Sequence, residues 1–135
     1  VFTAAMARVG DEAGIQEPFG FNPAFTSMLI SSFDSVGQEA YLVSLSYDFA
    51  KLGLEGVKFH AAYGRGTGSG AVVTGFALND QEELDLRVVY EPHCGPLQGL
   101  RAEVEYIDWQ LFQSGLPSED LTQLRAIVNY SVPLL

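Results

Sequence analysis

Gln38-Glu39-Ala40-Tyr41-Leu42-Val43-Ser44-Leu45-Ser46-Tyr47-Asp48-Phe49-Ala50 alternates along its whole length. Tyr41, Val43, Leu45, Tyr47 and Phe49 fall on one side of an extended chain. Leu42, Ser44, Ser46 and Asp48 fall on the other. Successive side chains of a pleated strand point to opposite sides, so a period of two marks a strand with two unlike faces. Helical periodicity is weak here and elsewhere in the chain.

The alternation recurs downstream. Val57, Phe59, Ala61 and Tyr63 alternate with Lys58, His60, Ala62 and Gly64. Leu84, Leu86, Val88 and Tyr90 stand against Asp85, Arg87, Val89 and Glu91. Leu100, Ala102, Val104 and Tyr106 stand against Arg101, Glu103 and Glu105. Leu124, Ala126, Val128, Tyr130 and Val132 stand against Arg125, Ile127, Asn129 and Ser131. A sixth strand, Phe2 to Val9, opens the chain, and its facing is ambiguous. The sequence therefore predicts an all-β, antiparallel fold of about six strands, with residues 1–135 forming part of one domain.

Connection lengths alternate as well. Ala50–Gly56 and Pro92–Gly99 are short and carry Gly or Pro. The stretches near 10–37, 65–82 and 112–122 are longer and polar or glycine-rich. Outer-membrane barrels have short periplasmic turns and long extracellular loops. Under that assignment both chain ends fall on the periplasmic side. No apolar run reaches the ~18 residues of a transmembrane helix, so any crossing of a bilayer would be made by strands. The chain opens on Val1 inside a strand, and it is expected to be a mature fragment of something longer.

All six tyrosines lie on the apolar faces of strands. Tyr47, Tyr90 and Tyr130 fall toward the short turns, and Tyr41, Tyr63 and Tyr106 toward the long loops. A ring with a polar tip favours the membrane–water interface, so these six form a candidate pair of aromatic girdles. Lys58, Asp85, Arg87, Arg101, Glu103, Glu105 and Arg125 share the opposite parity. A dry core does not hold that many charges cheaply. A soluble sheet protein would wet this face and bury the tyrosines. A membrane barrel would turn the tyrosines to lipid and enclose the charges in a wet lumen. Both arrangements satisfy the physics, and the loop asymmetry and tyrosine placement favour the barrel. Six strands cannot close a single-chain barrel, for which about eight is the minimum. The other strands must come from a part of the protein N-terminal to Val1, or from other copies of the chain.

Several segments resemble the OprD family of outer-membrane porins. They are Glu39-Ala40-Tyr41-Leu42-Val43-Ser44-Leu45-Ser46-Tyr47-Asp48-Phe49, Leu52-Gly53-Leu54-Glu55-Gly56-Val57-Lys58-Phe59 and Ala62-Tyr63-Gly64-Arg65-Gly66. Glu83-Leu84-Asp85-Leu86-Arg87, Gly95-Pro96-Leu97-Gln98-Gly99-Leu100 and Leu124-Arg125-Ala126-Ile127-Val128-Asn129-Tyr130 follow in the same order. The resemblance covers almost the whole chain. It implies a transmembrane β-barrel of about 18 strands, of which these would be the last six, with a homotrimer as the assembly that family members often form. It also implies that the loop around Pro18-Phe19-Gly20-Phe21-Asn22-Pro23 folds inward, making Phe19, Gly20 and Asn22 candidate constriction residues. Arg101 and Arg125 sit where family members carry a ladder of lumen arginines. Here Glu103 and Glu105 neighbour Arg101, so the lumen is mixed in sign.

Other chemistry is poorly supported. Gly64-Arg65-Gly66-Thr67-Gly68-Ser69-Gly70 lacks the Gly-Lys-Ser/Thr ending of a phosphate loop and reads as a surface loop. His93-Cys94 has no spaced partner set for a metal. Ser69 lacks a nucleophile-elbow setting. Glu103 and Glu105 could do acid–base work, but on a wet face they are expected to repel, solvate and tune selectivity. The lone Cys94 forbids an internal disulfide. A net charge of −10 makes nucleic acid a poor partner. Asp11, Glu12, Glu17, Asp34, Asp80, Glu82, Glu83, Glu119 and Asp120 are read as loop acids that solvate the exterior or bridge through divalent cations to lipopolysaccharide phosphates.

The expected function is passage of small polar solutes, carboxylates or amino acids, across a bacterial outer membrane, without an enzymatic step or a cofactor. Membrane lipid and lipopolysaccharide are the expected surroundings. Two other readings stay open: a soluble antiparallel β protein that binds a ligand, and a plugged barrel acting as an adhesin or anchor.

Overall fold

A computed structural model describes residues 1–10, 28–31, 33, 35–69, 79–113 and 115–131. Six strands form a single sheet: β1 (Phe2–Arg8), β2 (Glu39–Asp48), β3 (Val57–Ser69), β4 (Asn79–Tyr90), β5 (Leu100–Gln113) and β6 (Glu119–Tyr130). Their order in the sheet is their order in sequence, and every neighbouring pair is antiparallel. Strands β2 to β6 have 10 to 14 residues. A tilted strand needs about 9–11 to cross a hydrocarbon layer.

The short turns sit at one end of the meander. After β2 the chain closes into a 3-10 helix, Phe49–Leu52, rather than continuing as strand to Ala50. The cause is local: the Asp48 carboxylate accepts a hydrogen bond from the Ala50 N–H at 2.9 Å and caps the turn. Neighbouring hairpins are stitched together at this rim. Glu91 N–H donates to the Gly56 carbonyl, and Ser131 N–H to the Gly99 carbonyl, each at 2.8 Å.

The loops at the other end are shorter than composition suggests, because the strands run on into them. Strand β3 continues through Gly64 and Gly66 to Ser69, β4 starts at Asn79, and β5 reaches Gln113. The glycine-rich stretch is therefore mostly strand, with a register shift between Gly66 and Ser69. Asp80, Glu82, Glu83, Glu119 and Asp120 also lie in strands, not loops. Asp11, Glu12, Glu17, Asp34 and Val132, together with the expected constriction residues Phe19, Gly20 and Asn22, lie outside the described residues.

Register fixes the faces. Phe2, Ala4 and Met6 pair with Leu45, Val43 and Tyr41, which settles the facing of β1. The apolar face carries Phe2, Met6, Tyr41, Val43, Leu45, Tyr47, Val88, Val104, Leu124, Val128 and Tyr130, and all of these are exposed. The opposite face carries the charges, and Glu83, Asp85, Glu103 and Glu105 on it are buried. This inverts the order of a water-soluble sheet, where the apolar side is covered. The tyrosine rings are not interdigitated in a core. An exposed apolar face of this extent requires an apolar surrounding, which the hydrocarbon of a bilayer supplies.

Candidate functional site

The charged face of β3 to β6 carries two arrangements, one near the short turns and one nearer the long loops. The first is a chain of alternating charges. Arg87 on β4 faces Glu105 on β5, and Glu105 faces Arg125 on β6. Arg87 reaches Glu105 at 2.7 Å through Nη2 and Glu103 at 2.9 Å through Nε. Arg101 Nη2 lies 2.9 Å from the second oxygen of Glu103, and its Nη1 lies 3.2 Å from Glu91. Arg125 stands 3.8 Å from Glu105 and donates to Gln123 Oε1 at 2.7 Å. The order along the face is Glu91, Arg101, Glu103, Arg87, Glu105, Arg125, Gln123.

The two signs are not equally available. The Glu103 and Glu105 side chains are 9% and 5% exposed, whereas Arg101 and Arg125 are 44% and 37% exposed. Glu103 and Glu105 do not stand as a repelling pair; each is clasped between guanidinium groups. Cross-strand register sets Glu105 between Arg87 of β4 and Arg125 of β6, whereas Glu103, which faces Val89 and Ile127, is reached diagonally by Arg87 and along its own strand by Arg101. The arginines are correspondingly not free forks. Each keeps part of its donor set for a third partner, because a guanidinium has five N–H groups.

Beside this chain stands His60 of β3, in register with Arg87. Its Nδ1 is 2.8 Å from Ser46 Oγ. Lys58, on the same face, is exposed and borders an open concavity of about 530 Å³ with Lys51, His60 and Arg87.

The second arrangement holds residues 28–31 and Phe33, ahead of β2, against the face. Glu83 accepts hydrogen bonds from the backbone N–H groups of Ile30 at 2.8 Å and Ser31 at 2.6 Å. Asp85 accepts from Leu29 N–H at 3.3 Å. Asp85 is thus buried beneath this segment rather than presented to solvent. Phe33 and Gln38 pack onto Gly64 and Gly66. A Cβ added at Gly64 would meet Met28 Sδ and stand 2.8 Å from Phe33 Cε2. One at Gly66 would meet Gln38 Nε2 and stand 2.6 Å from Phe33 Cδ1. The glycines are the clearing into which the connection descends, which explains glycine in the interior of a strand. Phe33 takes a left-handed backbone, φ 51°, and is 1% exposed. Such a conformation is costly for an aromatic residue and is held by its surroundings.

Sequence reasoning placed Lys58, Asp85, Arg87, Arg101, Glu103, Glu105 and Arg125 on one face, and the register does bring them together there. It missed Glu83, Gly64, Gly66 and Phe33, which meet only through contacts distant in sequence. It also missed Trp109, which shares the inner face because β5 extends past Tyr106. The tyrosines occupy the outer face. Tyr63 donates its hydroxyl to Glu82 at 2.9 Å, at the end of the sheet nearer the long loops. Among the described residues no cluster of three or more His, Cys, Asp or Glu side chains could hold a metal.

A family model described as outer membrane porin, OprD family, matches residues 1–134. No curated protein matches the sequence. Solved structures from Pseudomonas aeruginosa share the fold. OccK9 (OpdG) is 24% identical with a TM-score of 0.84, over 98% of this chain and 33% of that one. OpdQ is 21% identical with a TM-score of 0.85, over 99% and 34%. OpdK, solved with vanillate, is 24% identical with a TM-score of 0.82, over 96% and 33%. The chain spans about a third of the length of these structures.

Proposed function

Since the chain belongs to the OprD family of outer membrane porins, we propose that its charged face lines part of a lumen through which small polar solutes diffuse. The observation that carries this reading is the pairing of an exposed apolar face with a continuous guanidinium–carboxylate chain on the other side. Lipid covers the first, and water and solute occupy the space bordered by the second.

In such a lumen the fixed charges replace part of a solute's hydration and bias which ions enter. The half-exposed guanidinium groups of Arg101 and Arg125 meet a carboxylate, and Arg87 does so less readily because both of its partners are close. A passing carboxylate exchanges with Glu103 or Glu105 for the same donors, which favours transient contact over tight capture. Solutes carrying both signs, amino acids among them, find complementary groups on one wall. OpdK holds vanillate, a carboxylate, which is compatible with carboxylates for this chain. Phe19, Gly20 and Asn22 as constriction residues, the six tyrosines as two girdles, a homotrimer and lipopolysaccharide contacts belong to the same proposal. No enzymatic chemistry is part of the family's role as channels.

The test uses the full-length protein in planar bilayers and in liposome uptake. Arg101→Ala and Arg125→Ala should each slow carboxylate uptake about two- to fivefold, because a solvent-screened charge pair contributes only modestly. Unchanged conductance and selectivity in both variants would remove these arginines from the filter. A full-length protein that inserts but never conducts would instead favour the plugged-barrel reading.

A further inference from the structure

We infer that Glu83 is a positioning residue: its carboxylate latches residues 29–31, ahead of β2, onto the lumen face and thereby sets the bore at that level. The inference rests on the porin reading above and adds to it a residue that touches no solute.

Glu83 points to the same side as Arg87 and Glu105, yet it is 0% exposed. Its two oxygens are taken by two successive backbone N–H groups, those of Ile30 and Ser31. A buried carboxylate is costly unless hydrogen-bonded, and charge-assisted bonds to backbone donors are the strong kind. Asp85, two residues on, repeats the contact with Leu29. Connection and acids therefore depend on each other: the carboxylates hold the backbone, and the backbone hides the carboxylates from water. The second anchor is Phe33, seated over Gly64 and Gly66 in a left-handed conformation that only a tight seat maintains. Met28 and Leu29, just before the residues that Glu83 holds, border a concavity of about 370 Å³ whose other walls include Ser44, His60, Asp85 and Arg87. The latched segment thus fills space that the bare sheet would leave open beside the arginine chain.

Two variants of the full-length protein separate a latch from a merely structural group. Glu83→Ala removes the hidden charge and frees the connection. Gly66→Val evicts Phe33 and Gln38 and frees the connection with Glu83 intact. Both should raise single-channel conductance and open-state current noise. Gly66→Val should move the reversal potential toward cations further than Glu83→Ala does, because it uncovers both Glu83 and Asp85, where Glu83→Ala uncovers Asp85 alone. Glu83→Gln, which keeps one acceptor oxygen, should fall between wild type and Glu83→Ala in conductance. Should Glu83→Ala fail to fold into lipid, the selectivity shift of Gly66→Val still decides. Wild-type conductance and noise in an inserted Glu83→Ala, or in Gly66→Val where Glu83→Ala does not insert, would overturn the latch. A wild-type protein without any channel activity would instead overturn the porin reading itself.

Discussion

At the scale of single residues, the decisive feature is that carboxylates and arginines on this face are already partnered. Glu105 is the hinge of the chain, held by Arg87 at 2.7 Å and facing Arg125 at 3.8 Å. Replacing it by Gln removes one negative charge and releases two guanidinium groups. In the full-length channel, Glu105→Gln should shift the reversal potential toward anions, measured under a salt gradient. Glu83→Gln should leave the reversal potential nearly unmoved, since that charge is hidden from the lumen. Equal shifts in the two variants would contradict the difference in partners, lumen-facing arginines for Glu105 and backbone N–H groups of the connection for Glu83. The sequence revealed which charges share a face because parity alone decides that. It could not reveal which of them meet. Arg87, Glu105 and Arg125 come from three strands, and only the register sets them in one row. Glu83 was hidden for a stronger reason, as its partners lie 52 and 53 residues earlier on the connection.

At the scale of elements, the strands outrun the alternation that announces them. The apolar period of β5 ends near Tyr106, yet the strand reaches Gln113, with Asp108 and Gln110 on the outer face. The same break appears where Arg65 pairs with Glu82, and Glu82 with Gln110. Composition reads these polar and glycine-rich ends as loops. The backbone keeps its ladder because neighbouring strands supply hydrogen bonds whatever the side chains are. The polar outer rows then mark where the hydrocarbon stops. A substitution series follows from this. Val88→Arg or Val104→Arg, in the middle of the outer band, should destabilise the full barrel by about 2–4 kcal/mol, and Gln110→Arg by about 0–1 kcal/mol. Equilibrium denaturation in phospholipid vesicles reads both. Equal costs at the two levels would mean that the outer face does not graze lipid as assigned.

At the scale of the whole molecule, the sheet ends on both sides in strands that, among the described residues, have a neighbour on one side only. β1 pairs with β2 and β6 with β5. In hydrocarbon, each backbone N–H or C=O left without a partner costs several kcal/mol. A sheet with a dozen residues on β6 and seven on β1 therefore cannot rest in lipid on its own ladder. Closure by further strands is the solution that leaves no edge. The 135-residue segment refolded alone into detergent should accordingly show fast amide exchange along β1 and β6 and slow exchange along β3 and β4. In the full-length protein all six strands should exchange slowly, because each edge then has a partner. Hydrogen exchange resolved along the sequence makes the comparison. A segment that alone forms a monomeric, protease-resistant particle with uniformly protected strands would show that its edges are satisfied from within, and the lumen would then have no second wall to close it.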